Sequence, residues 1–146
     1  EKVAIVEATC GGLISAALLA VPGASRYYCG PGVVVYGVQS KFPDQALKRL
    51  VGDAELVQTV SAERYKADAK TYKEGKEVWA RSLSRHMRRT LGADWCIAES
   101  GATGPSFSVS GVEKAFSAVA VAGPLEGNLM IEAPDLDRES NMCLFE

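Results

Sequence analysis

The run Val3-Ala4-Ile5-Val6-Glu7-Ala8-Thr9-Cys10-Gly11-Gly12 constrains the fold more than any other stretch of the chain. An apolar, β-branched segment without polar alternation fits a buried central strand of a parallel sheet. It breaks into small hydroxyl and thiol residues and two glycines. Leu13 to Leu19 then reads as an alanine-rich helix, which Pro22 and Gly23 stop. This is a βα unit with a short turn, and such a turn offers helix N-terminal amides to an anion. Glu7 closes the strand, and a carboxylate there needs hydrogen-bond partners, so it is expected to organise the turn.

The segments that follow extend the pattern. Gly30 to Gly37 is a β-branched strand bounded by glycines, and Gln45 to Leu50 reads as a short helix. From Ser61 to Leu91 there is no proline, which suggests one long helix or two. Its second half places Val78, Trp79, Leu83, Met87 and Leu91 at helical spacing for packing on the sheet. Its first half, about residues 62–77, is polar nearly all round and is expected as an extended, solvated or partner-facing segment. Ala93 to Ser100 reads as a core strand ending in a small-residue turn. Lys114 to Pro124 and Asn128 to Pro134 read as an antiparallel hairpin at a sheet edge. The expected fold is a single α/β domain over residues 1–146 with a mixed sheet.

Composition narrows the function classes. The chain of 146 residues is 47% apolar and 23% charged, enough for one real core. A net charge of −2 speaks against a dedicated DNA binder. Cys10, Cys29, Cys96 and Cys143 lie far apart with a single histidine, His86, so neither a zinc site nor a disulfide framework is suggested. Reduced thiols and a reducing compartment are the expectation. The longest apolar run, Leu13 to Val21, is too short to span a bilayer, so a soluble protein without a transmembrane segment is expected. A chain opening on Glu1 suits a removed presequence, which an organelle would explain, or an excerpt of a longer protein. The cluster Arg85-His86-Met87-Arg88-Arg89 reads as a solvated helix end, where cations are favoured.

Taken together these segments resemble the C-terminal domain of CinA proteins, a family that includes nicotinamide mononucleotide deamidase. Its motif AESCTGG corresponds to Val6-Glu7-Ala8-Thr9-Cys10-Gly11-Gly12, and PGSS to Pro22-Gly23-Ala24-Ser25. VxYSNxxK corresponds to Val34 through Tyr36 to Lys41, GAD to Gly92-Ala93-Asp94, and SGIAGP to Ser100-Gly101-Ala102-Thr103-Gly104-Pro105. The resemblance implies a three-layer α/β/α sandwich, a tendency to dimerise, and hydrolysis of the nicotinamide carboxamide without a metal or cofactor. It also implies a serine nucleophile assisted by Tyr36 and Lys41.

That serine position is Ala8 here, and an alanine methyl forms no acyl-enzyme. Two readings follow. In the first, the domain is catalytically inactive and serves as a binding or structural component of a larger assembly, with Tyr36 and Lys41 as relics. Partners are then a second copy or other proteins reached through the extended helix, and a nucleotide-like small ligand at Gly11, Gly12, Ser25, Ser100, Thr103 and Ser106. In the second, Thr9 or Cys10 substitutes as nucleophile, with Lys41 as base, in an amidohydrolase acting on nicotinamide mononucleotide or a related ligand.

Overall fold

A computed structural model of the chain describes residues 1–30, 32–36, 68–134 and 137–146. Strand β1 (Val3–Glu7) pairs in parallel with β2 (Val33–Val34) on one side and with β3 (Trp95–Ala102) on the other. The sheet continues antiparallel through β4 (Phe116–Ala122) and β5 (Gly127–Glu132), giving the order β2-β1-β3-β4-β5. The hairpin β4–β5 therefore lies at a sheet edge, as its turn residues suggested. The strand expected over Gly30 to Gly37 is reduced to Val33–Val34, and the one expected over Ala93 to Ser100 is shifted by two residues to Trp95–Ala102. The helix expected at Gln45 to Leu50, and Lys41 with it, lies outside the described residues.

Among the described residues, three helices cover the two faces. α1 (Leu13–Leu19) and α3 (Arg138–Phe145) lie on one, where Ile5, Cys10, Ile14 and Phe145 form a core with Ile97 and Ile131. α2 (Ala69–Leu91) lies on the other, where Ala4, Val6, Ala98 and Ala120 meet Trp79, Ala80 and Leu83. Small alanines on the sheet leave room for the large helix side chains. Burying each of these large side chains contributes roughly 1.5–3 kcal/mol. Asp94 ties the start of β3 to that of β1, its carboxylate accepting the Lys2 amide at 2.6 Å.

Of the polar segment expected over about residues 62–77, residues 62–67 lie outside the described residues, and the rest forms the start of α2. Asp68 caps the helix, accepting from the Thr71 amide at 2.8 Å. From there Lys70 and Glu74 stay exposed, while Tyr72 and Lys73 lie against the sheet. Tyr72 meets the Phe116 ring edge-on at 5.7 Å, and Lys73 lays its amine over the same ring while pairing with Glu132. Gly75 is buried in the contact. Long charged side chains covered the stripe with their stems while keeping polar tips, which a polarity count reads as solvation. Within the described residues, then, no part of α2 stands out as a protruding arm.

No helix among the described residues is long and apolar enough to cross a membrane.

Candidate functional site

The loops at the carboxyl ends of β1 and β3 converge, which is where open α/β sheets place ligands. Two buried carboxylates, Glu7 and Glu99, both fully enclosed, organise this edge from the α1 and α3 side. Glu7 ends β1 and accepts from the amides of Gly12 at 3.0 Å, Ile14 at 3.1 Å and Ser15 at 2.8 Å, and from the Ser15 hydroxyl at 2.5 Å. Tyr28 donates in turn to the Ser15 hydroxyl at 2.9 Å. The turn reaches this geometry because Gly11 and Gly12 adopt φ values of 66° and 107°, which side chains rarely adopt. Glu7 does organise the turn. It also occupies the first-turn amides of α1 that an external anion would need, against the expectation that these face a ligand.

Glu99 holds the other half of the turn. Its Oε2 accepts from the amides of Ala8 at 3.1 Å and Cys10 at 3.0 Å. Its Oε1 accepts from the Thr9 hydroxyl and from the Ser117 hydroxyl, the latter at 3.0 Å. The sequence reading passed over Glu99 as one more residue of a core strand. The available signal was period two, since Glu99 follows the inward Ile97 on the same face.

The three residues at and after the expected nucleophile position are consequently committed. Ala8 is buried in the apolar cluster on the α2 side of the sheet that also holds Val6, Val35 and Trp79. Thr9 is almost fully buried and bound to Glu99. Cys10 is fully buried on the opposite side, and burial, then the charge of Glu99, pushes its thiol far above the usual range. A thiol held neutral is a poor nucleophile. Cys96, also buried, is raised to about 12 by desolvation.

The remaining expected residues divide by position. Tyr36 is 65% exposed, and Arg138 donates to its hydroxyl at 3.2 Å and to the Gly104 carbonyl at 3.3 Å. Ser100 is buried in β3, while Ser106 is exposed on the loop beyond it. Thr103 is buried, with a hydroxyl that finds no hydrogen-bond partner among the described residues. Ser25 is not brought to this edge. It sits exposed in the short 3-10 turn Ala24–Arg26 after α1, beside the amino end of β1, where Val3 donates to the Tyr27 carbonyl at 2.8 Å.

Lys76 is the group that sequence reasoning missed. It continues the Trp79 and Leu83 stripe back toward Tyr72 at helical spacing, on the face of α2 that covers Ala8. Its amine lies 5.4 Å from the Tyr72 ring centroid. Desolvation lowers its pKa to about 8, opposed by the charge of Glu99. The unfolded chain therefore binds more protons between about pH 8 and the ordinary lysine value of 10.5, and stability rises with pH through that window. Lys76→Met is expected to raise stability near pH 7 by about 1 kcal/mol, allowing for partial exposure, and the gain should fade toward pH 10. Denaturant melts at several pH values measure this.

Fold and site together define a three-layer α/β/α domain with a mixed sheet and a carboxylate-held turn at the end of its central strand. Solved structures with this architecture include a CinA superfamily protein from Escherichia coli, at TM-score 0.68 and 20% identity over 98% of this chain and 73% of that one. Competence damage-inducible protein A from Klebsiella pneumoniae superposes at TM-score 0.68, with 23% identity over 99% of this chain and 78% of that one. The family model of the CinA C-terminal domain matches residues 1–143, and the chain belongs to that family. A CinA-like protein of Prochlorococcus marinus is 34% identical over 85% of this chain, and one of Anaeromyxobacter sp. (strain K) is 33% identical over all of it. The chain spans only 25% and 32% of the length of these two relatives.

Proposed function

We propose that this CinA C-terminal domain is catalytically silent at its turn and works as a binding or structural component of a larger assembly. The observation that carries the reading is Glu99, which engages the amides of both Ala8 and Cys10 as well as the Thr9 hydroxyl. A hydrolytic site of this kind needs an attacking atom and free donors for the oxyanion. At position 8 there is a methyl, and the neighbouring amides are already spent on an internal carboxylate. Purification of the native protein tests the structural role. Migration within a larger assembly is expected, whereas a protein that migrates alone and releases ammonia from nicotinamide mononucleotide would contradict it.

One observation favours the second reading, an amidohydrolase acting on nicotinamide mononucleotide or a related ligand. The Thr9 hydroxyl sits on a carboxylate, the arrangement by which a base activates a hydroxyl. Against it stand the burial of Thr9 and the further donors that hold the same carboxylate. Cys10, neutral and enclosed, is the weaker substitute.

A further inference from the structure

Away from the turn, β5 ends the sheet. Among the described residues it pairs only with β4, from Val121↔Gly127 to Phe116↔Glu132, so its outer row of backbone groups has no strand partner among them. Natural edges are usually blunted by proline, lysine or a bulge. The sequence Gly127 to Glu132 contains neither proline nor lysine, and Leu129 on it is 61% exposed. Leu125, in the turn that precedes it, is 76% exposed.

The α2 side of this edge carries a polar groove of about 200 Å³, lined by Arg81, Ser84, Arg85, Glu126, Gly127 and Asn128. Most of these groups are engaged. Arg85 donates to Glu126 at 2.9 and 2.5 Å, Ser84 to the Arg81 carbonyl at 2.9 Å, and Asn128 to Glu77 at 2.7 Å. The Arg81 guanidinium is exposed, and among the described residues it makes no hydrogen bond or salt bridge, acting on Glu126 only through its charge. Each acid that bounds the strand has several cations near it. Glu126 is held below the ordinary carboxylate range by Arg85 first, with Arg81 and Arg88 adding to it, and Glu132 by Lys73 with Lys114 adding.

From this arrangement we infer that the β5 edge receives an extended acidic segment of a protein partner as an added strand, with an acidic side chain seated on Arg81. Main-chain hydrogen bonds would supply affinity, and the apolar face at Leu129 with the cationic groove would supply the register. The groove has room for a carboxylate side chain, and the guanidinium fork matches it. A second copy of the chain fits the edge poorly. Antiparallel pairing centred on Leu129 sets Glu126 opposite the Glu132 of the other copy, and like charges directly opposite are destabilising. The inference names the contact surface for the binding role proposed above, and its failure would leave the silence of the turn untouched.

The test titrates the full chain with a short extended peptide alternating Val with Thr and Glu, and with its counterpart carrying Lys for Glu. Backbone amide shifts and fluorescence anisotropy report binding. The acidic peptide should bind, shift the amides of Gly127 to Glu132, and weaken about tenfold or more with Arg81→Glu, a loss of about 1.4 kcal/mol. Leu129→Lys should weaken it as well, and Leu144→Lys, exposed on α3, should not. Absence of binding up to millimolar peptide, equal binding of the Lys peptide, or shifts confined to another surface would each overturn the inference. A dimer of the chain alone that Leu129→Lys dissolves would overturn it too, since a second copy would then own the edge.

Discussion

Glu99→Ala is expected to destabilise the protein by about 3–5 kcal/mol, the range seen when one partner of a buried charged network is removed. Four donors lose their acceptor at once. The amides of Ala8 and Cys10 and the hydroxyls of Thr9 and Ser117 all meet on this carboxylate. The hydroxyls can rotate to other partners, but the two amides are fixed by the chain, and leaving them buried and unmade costs about 1–3 kcal/mol each. Glu99→Gln should cost roughly 1–2 kcal/mol, because the hydroxyls can accept from the new amide group while its oxygen keeps the backbone donors. Urea melts of the two variants measure the difference. Equal and small losses would mean that the turn is held by its packing and not by the carboxylate.

Gly101→Ala should be nearly as damaging, at about 3 kcal/mol, the upper end of the usual cost of overpacking. A methyl there would lie 2.0 Å from the Phe116 carbonyl oxygen and 2.8 Å from the Ser117 Cα, both backbone atoms of the adjoining strand. Flexible side chains can give way to a new methyl, whereas a paired strand has to move as a unit. Gly101 pairs with Ser117, whose hydroxyl reaches Glu99, so the displacement would also loosen the turn. Thermal unfolding should show a Tm lower by about 10 °C, taking about 3–4 °C per kcal/mol for a domain of this size. A change of only a degree or two would contradict the close β3–β4 approach.

These two residues also mark where the sequence was and was not legible. The unit from β1 through α1 could be read because apolar runs, paired glycines and a proline stop act locally. The β4–β5 hairpin could be read for the same reason. Glu99 could not, because its meaning depends on four donors from two distant segments. Lys73 and Lys76 look solvated as letters, yet their amines lie over Phe116 and Tyr72. Of the expected ligand residues, Ser100 lies inside β3 and Thr103 and Ser106 follow it, while Ser25, grouped with them in the sequence, sits elsewhere. Only the path of the chain shows that α1 carries Ser25 to the other end of the sheet. Tyr36 was recognised from its motif, while its link to Arg138 joins residues from opposite ends of the chain.

Ammonia release from nicotinamide mononucleotide, followed at high enzyme concentration against a protein-free blank, tests the silence of the turn most directly. No release above the blank is expected from the native chain, and none that depends on Thr9 or Cys10. Sustained release that falls with Thr9→Val or with Lys41→Ala would contradict it, and a fall with Thr9→Val would make the Thr9 hydroxyl on Glu99 a working nucleophile.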